Sequence, residues 1–390
     1  MNDEYDLILA GGGLANGLIA WELKRRQPQL RVLLVEEQAT LGGNHTWSFH
    51  QGDLDAEQHR WLDPLVVKRW DRYQVHFANL SREMPSGYAS ITSERFARVI
   101  GTALGQGLLS HTRIASLTPR EVLLDNGQIL HAAAVIDGRG AVNSRHVALG
   151  RQAFVGQLLR LHRPHGLDAP IIMDARVEQG DGYRFVYVLP FSPDTLLVED
   201  THYIDDQPLA VERLRDNIAR YVAAQGWQIA EVLREEQGLL PITLAGDADA
   251  FWAEAEGQPR AGLRAGLYHC TTGYSLPHAV RLARWLGQFH SFHSERLFEA
   301  LRRHALHAWR QQGFYRLLNR MLFLAGEPAD RWQVMQRFYR LPEPLITRFY
   351  AERLGVLDKL RILTGKPPVP VGAALAAALR FAPRHFERPV

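Results

Sequence analysis

Residues 10–21 read Ala10-Gly-Gly-Gly-Leu-Ala-Asn-Gly-Leu-Ile-Ala-Trp21. Just before them, the apolar run Tyr5–Ala10 has the look of a buried parallel strand. After the glycines, Leu14, Leu18, Ile19 and Leu23 recur at helical spacing, and Pro28 closes the segment. Arg31–Glu36 is a second apolar run ending in an acid. The order is strand, glycine turn, helix, strand, which predicts a dinucleotide-binding unit. Gly11 permits the tight turn and Gly13 lets backbone approach a pyrophosphate. Leu14, Ala15 and Asn16 open the helix and offer free N–H groups and a positive dipole end to that anion. Glu36, 25 residues after Gly11, can accept hydrogen bonds from ribose hydroxyls. One position departs from Gly-x-Gly-x-x-Gly: the third is Asn16, with Gly17 behind it, where close helix–strand packing asks for a small residue.

At 390 residues the chain predicts two or three packed units. Its single cysteine, Cys270, excludes an internal disulfide framework, and no Cys/His cluster has zinc spacing, so no metal is expected. The acidic opening MNDEYD predicts no secretory signal, and no apolar stretch is long enough to span a membrane. Charge is uneven. Residues 301–390 carry 16 Lys/Arg against 6 Asp/Glu, while residues 1–300 carry 29 against 36. A basic tail on an acidic body points to an anionic partner for the tail.

Beyond the first unit, Leu124-Asp-Asn-Gly127 marks a hairpin turn. Ala132–Gly140 reads as a return to the parallel sheet, with Asp137 at the strand end. Strands dominate 151–243, including a hairpin of Tyr183–Pro190 with Asp194–Glu199. Gly262–Gly273 is expected to hold a strand and a turn, Pro277 to start a helix, and everything from about 290 to be helical. The expected fold is therefore α/β. A Rossmann-like nucleotide-binding domain (1–45, 90–150 and 260–290) receives an inserted antiparallel-sheet substrate domain (46–89 and 151–259), and 291–390 form a helical region.

Eight stretches, in this order, are similar to bacterial lycopene beta-cyclases: Gly11–Gly17, Gly42-Gly-Asn-His-Thr-Trp47, Val135–Gly140, Phe154-Val-Gly-Gln157, Tyr187-Val-Leu-Pro-Phe191, Leu197-Val-Glu-Asp-Thr201, Glu236-Gln-Gly-Leu-Leu-Pro241 and Thr271-Thr-Gly-Tyr-Ser-Leu-Pro277. The resemblance runs nearly end to end, and Asn16 is ordinary within it. Leu158 stands where the family pattern has an acid, so no acid–base role is expected there. The resemblance implies a flavoprotein of the hydroxylase and geranylgeranyl-reductase type. It implies closure of the ends of lycopene to the rings of gamma- and then beta-carotene, without net redox change. It also implies reduced FAD as cofactor and NAD(P)H as reductant.

Such a cyclisation protonates a terminal C=C bond, lets an internal double bond attack the cation, and removes a ring proton. The site needs a strong acid, a base, negative charge near the cation and exclusion of water. Glu199, at the end of the apolar Leu196–Val198 run, is the first choice for the acid. Asp200 is its neighbour and points to the opposite face of a strand, so one of the two acts rather than a dyad. His45 can orient a carboxylate. Trp47, Tyr187 and Phe191 are expected as pocket walls or cation–π supports. Thr272, Gly273 and Tyr274, before the Pro277 helix, form a second turn suited to the flavin, and Asp137 is placed near its ribityl or phosphate region.

A C40 hydrocarbon is delivered from a membrane. Trp309–Leu324, Arg337–Arg340 and Arg348–Tyr350 mix arginines with aromatics as an interfacial helix does. The expected location is the inner face of the bacterial cytoplasmic membrane, as a peripheral protein with room for association with other carotenoid enzymes. Two other functions fit parts of the chain. One is a flavin monooxygenase or prenyl reductase on the same scaffold. The other is a flavin-bound basic RNA-binding protein, although no Lys/Arg run or RNA-binding motif is present and no nucleic acid partner is expected.

Overall fold

The glycine turn follows an inner strand of a four-stranded parallel sheet in the order Val135–Asp137, Leu7–Ala10, Val32–Val35, Leu108–Leu109. Leu7 to Ala10 are completely buried, as expected of an apolar run covered on both faces. The computed structural model describes residues 4–180, 182–205, 209–365 and 369–381. Helix Leu14–Arg26 follows the turn and ends in three basic residues, Lys24, Arg25 and Arg26, which complement the dipole at that end. Glu121–Leu124 and Ile129–His131 form the hairpin expected around Asn126-Gly127, with Ile114–Leu117 as third strand.

The largest sheet has seven strands. Its order is Ile229–Gly246, Val147–Leu161, Thr195–Ile204, Tyr183–Pro190, Ile171–Asp174, Tyr73–Phe77, Leu80–Met84. The pairing is antiparallel except between Ile171–Asp174 and Tyr73–Phe77. One face packs on helix Val211–Ala224 through Val155, Val186, Leu196 and Val198. The other face carries Tyr183, Phe185, Leu197 and Ile242 against Tyr315, Phe323, Tyr339 and Tyr350 of the C-terminal helices. A small sheet of Thr46–His50, Tyr88–Thr92 and Lys68–Trp70 lies between the two units.

Two expectations change. Gly262–Gly273 holds no strand. Gly262–Ala265 is a single 3-10 turn, and Gly262, Gly266 and Gly273 have left-handed φ values. Ala265, Leu267, Tyr268 and Cys270 are buried, but the segment's backbone bonds elsewhere: the Cys270 carbonyl accepts from Thr243 N and from the Asn319 side chain. The segment Trp309–Leu324 is not an interfacial helix. Helix Gly313–Leu324 lies in the core, and Arg316 and Arg320 are buried, donating to the carbonyls of Trp309, Leu244 and Ala378. These arginines serve internal backbone, which composition cannot distinguish from lipid contact.

The Asn16 anomaly has a packing answer. The Asn16 amide donates to the carbonyls of Ala10 (2.9 Å) and Gly11 (3.0 Å), tying strand end to turn. Its space comes from Gly138, where a Cβ would lie 2.4 Å from the Asn16 amide. Gly17 meets the need for close helix packing instead, since a Cβ there would strike the Phe96 ring at 2.3 Å. Gly138→Ala is therefore expected to destabilise the protein by about 1–3 kcal/mol and to weaken flavin retention. Thermal unfolding with and without added flavin measures both effects.

Candidate active site

Four residues stand in one row across four adjacent strands of the large sheet. Glu236 pairs in register with Gly156, Gly156 with Glu199, and Glu199 with Tyr187. Residues in register on neighbouring strands project to the same face, so the row places two carboxyls and a phenol side by side. They border a cavity of about 150 Å³ together with His45, Trp47, Leu197, Gly273 and Tyr274. The sheet thus meets the turn before helix Leu276–Leu286 at this point.

Glu199 is half-buried and borders the cavity, and burial pushes its carboxyl up to about 8, assisted by the Glu236 charge. The hydroxyl of Thr201 donates to its Oε1 at 2.7 Å. Glu236 is buried to 1%. Burial raises it to about 7, against the lowering effects of Arg234 and the Thr46 hydroxyl, which donates at 3.0 Å. Near neutral pH Glu199 is thus an acid with its proton in place. His45 is held below its ordinary value by burial and by the Arg234 charge, so it is neutral. The phenols of Tyr88 and Tyr187 both meet that of Tyr274, at 3.0 and 3.1 Å. Tyr187 and Tyr274 also line a second, apolar cavity of about 230 Å³. That cavity runs under the C-terminal helices to Ile362, Leu363, Val371 and Ala374.

Asp200 is not brought to the cavity. Alternation turns it to the opposite face, where it is fully buried and paired with Arg184 and His202 (both 2.7 Å) and Asn217 (2.7 Å). Burial raises this carboxyl, but the His202, Arg184 and Asn217 partners prevail and hold it below its ordinary value. The carboxylate stabilises the fold above the usual carboxylate range, and that contribution is lost as pH falls through its lowered value. Asp200→Ala leaves the buried Arg184 guanidinium without its carboxylate and is expected to destabilise the fold by about 3–5 kcal/mol. The pH profile of turnover should keep both limbs, the alkaline one moving only slightly to lower pH because the Asp200 charge is the smallest of the causes raising Glu199, which denaturant titration beside a pH–rate profile checks. Phe191 packs on Trp70, ring centroids 5.9 Å apart, and does not line the cavity. Trp47 does, with its ring edge on Phe96.

The residues around the first turn fit an FAD. Gly11 has φ +91°, and nothing stands within 4 Å of where a Gly13 Cβ would be, so that face of the turn is open. Helix Leu14–Arg26 has no side-chain cap and no acid in its first turn, which leaves its N-terminal N–H groups to an anion. Glu36 Oε2 accepts from Gly12 N at 2.6 Å, beside the turn. Asp137 is bound by Arg139 (2.9 Å) and Arg264 (3.3 Å), which brings two guanidiniums to the same edge. At the second turn Gly273 has φ +71°, and helix Leu276–Leu286 again begins without a side-chain cap or a first-turn acid.

Glu236 is the residue that sequence reasoning missed as a functional group. It lies in one of the eight stretches, but two adjacent acids, Glu235 and Glu236, give no local sign of which one faces inward. Alternation separates the two acids: Glu235 pairs outward with Arg215 at 2.6 Å, and Glu236 faces inward.

Known proteins share this organisation. Solved structures with the same fold include a geranylgeranyl bacteriochlorophyll reductase-like protein from Thermoplasma acidophilum (TM-score 0.60, 11% identity, 93% of this chain and 96% of that one). A flavin-dependent brominase is another (TM-score 0.57, 13% identity, 89% and 93%). In sequence, the chain is 55% identical to the lycopene beta-cyclase of Pseudescherichia vulneris (98% of this chain, 99% of that one). It is 56% identical to that of Pantoea ananas (97% and 99%) and 46% to that of a Paracoccus strain (95% and 96%). The family profile described as lycopene cyclase protein matches residues 6–376, and this chain belongs to the lycopene cyclase family.

Proposed function

We infer that this protein closes the linear ends of lycopene to β-ionone rings. The reaction is a proton-initiated isomerisation with no net redox change. The observation that carries it is Glu199: a protonated carboxyl inside a largely apolar cavity, beside the second of two turns suited to a flavin. Glu199 donates the proton to the terminal C=C. Trp47, Leu197 and Tyr187 wall the cavity and keep water from the cation. Neutral His45 adds no positive charge beside it, and the aromatic faces of Trp47 and Tyr187 favour the cation. Gly11, Gly13, Leu14, Ala15, Asn16 and Glu36 would hold the nucleotide end of FAD. Asp137, through Arg139 and Arg264, would hold the phosphates, and Thr272, Gly273 and Tyr274 would hold the ring end. When bound in its reduced form, generated with NAD(P)H, the flavin supplies negative charge that lowers the cost of the cation.

Substrate enters from a bilayer at the C-terminal end. Val356, Leu357, Leu360 and Leu363 of helix Val356–Leu363 are exposed, as are Val371, Leu375, Leu379 and Phe381 around helix Val371–Ala378. Leu363 and Val371 of this exposed set also line the apolar cavity that shares Tyr187 and Tyr274 with Glu199. Lys359, Arg361 and Arg380 lie among them in the chain, which suits an anionic membrane surface. No helix among the described residues is long and apolar enough to cross a membrane, so the contact is peripheral. The test is purified protein with FAD and NADPH, without oxygen, given lycopene in anionic vesicles. Beta-carotene is the expected product; recovery of unchanged lycopene, or of a saturated product, sinks the assignment.

A further inference from the structure

We propose that Glu236 is the base of the reaction, and that Glu199 and Glu236 hold one proton between them across the gap left by Gly156. This rests on Glu199 as the acid. Gly156 is the in-register neighbour of both glutamates. A Cβ there would lie 3.1 Å from Glu236 Cγ, 3.3 Å from Glu236 Oε1 and 3.4 Å from Glu199 Cβ. Any side chain at 156 would therefore stand between the carboxyls. With glycine, both border the same cavity with no side chain between them in the row.

Their surroundings separate the two roles. Among the described residues, Glu199 receives only the Thr201 hydroxyl. Glu236 has the Thr46 hydroxyl at 3.0 Å and the Arg234 guanidinium at 3.4 Å, and Arg234 continues to exposed Glu94 at 3.3 Å. A cation beside Glu236 favours its carboxylate, so the proton of the pair rests on Glu199. The other groups facing them are His45, Tyr88, Tyr187 and Tyr274, with Asp200 on the far side of the sheet.

The step balances without an external acid, base or reductant. Glu199 gives its proton to the terminal C=C, whose π pair becomes the new C–H bond. The internal C=C closes the ring bond to the cation and leaves positive charge on the ring. Glu236 takes a ring proton, and that C–H pair becomes the ring double bond. The proton then passes from Glu236 to Glu199, restoring the starting state for a second ring.

The experiment is the pH profile of kcat for reduced holoenzyme with lycopene in vesicles, comparing wild type, Glu236→Gln, Glu236→Asp, Gly156→Ala and Glu199→Gln. Wild type is expected to show a bell. Activity falls as pH drops through about 7, where Glu236 protonates, and as pH rises through about 8, where Glu199 ionises. Such limbs belong to the pair. In Glu236→Gln the acid limb disappears, the alkaline limb moves to lower pH because the charge raising Glu199 is gone, and kcat falls by about 10²–10⁴. Glu236→Asp restores the acid limb. If Glu236→Gln does not hold flavin, Gly156→Ala decides, and it should lower kcat on the order of 10–100-fold with flavin retained. An unchanged bell in Glu236→Gln, or an unchanged kcat in Gly156→Ala, overturns the pairing. An inactive Glu199→Gln beside an unchanged Glu236→Gln leaves the acid assignment intact, whereas an active Glu199→Gln removes the acid itself.

Discussion

Glu199→Gln should retain flavin and lose turnover by a factor of about 10²–10⁴, the usual contribution of a positioned general acid. The amide keeps the size of the carboxyl and its bond from Thr201, so the cavity and sheet should survive. What it lacks is an acidic proton. The alkene is a weak base, and the other cavity groups do not replace this one: His45 is neutral, burial raises the phenols of Tyr88, Tyr187 and Tyr274 above their ordinary values, and Arg234 draws Glu236 toward its carboxylate form. Flavin absorbance and anaerobic single-turnover assays measure the two halves separately. Wild-type turnover in this variant would remove Glu199 from the mechanism.

Leu357→Glu combined with Leu375→Glu should abolish vesicle binding and slow turnover of vesicle-borne lycopene. Leu357 is 81% exposed and Leu375 64%, so neither contributes much to the core and both changes leave it intact. Each leucine removed from a bilayer forfeits about 1.5–3 kcal/mol of apolar burial. Two together lower partitioning on the order of 10²-fold or more. Lycopene presented in detergent should still be turned over, because the cavity and Glu199 are untouched. Co-sedimentation with anionic vesicles at two salt concentrations is the measurement. Unaltered sedimentation would place the membrane contact elsewhere on the protein.

What could be read from sequence follows from whether a signal is local. The strand, turn, helix and acid of residues 5–36 obey short-range rules, and the parallel sheet follows from them. Asn16 looked misplaced because its compensation is Gly138, 122 positions away and brought near only by the fold. Alternation alone put Glu199 and Asp200 on opposite faces. Which face held the cavity depended on the C-terminal helices covering one side and Val211–Ala224 the other. Glu236 escaped for the same reason: register between strands separated by some 80 residues is a tertiary property. In the tail, counting arginines located the basic region but not its outside. Arg316 and Arg320 bond core carbonyls, while the exposed apolar residues belong to the last two helices.

The central claim is that a flavin fold here performs proton chemistry without consuming electrons. The most direct test is the number of reducing equivalents used per ring formed, with oxygen excluded. Reduced nicotinamide is followed by absorbance and cyclised product by chromatography. Cyclisation through Glu199 predicts many rings for each nicotinamide oxidised, the reductant being needed only to prime the flavin. One nicotinamide oxidised for each product molecule would contradict it and make the protein a reductase or oxygenase on the same scaffold.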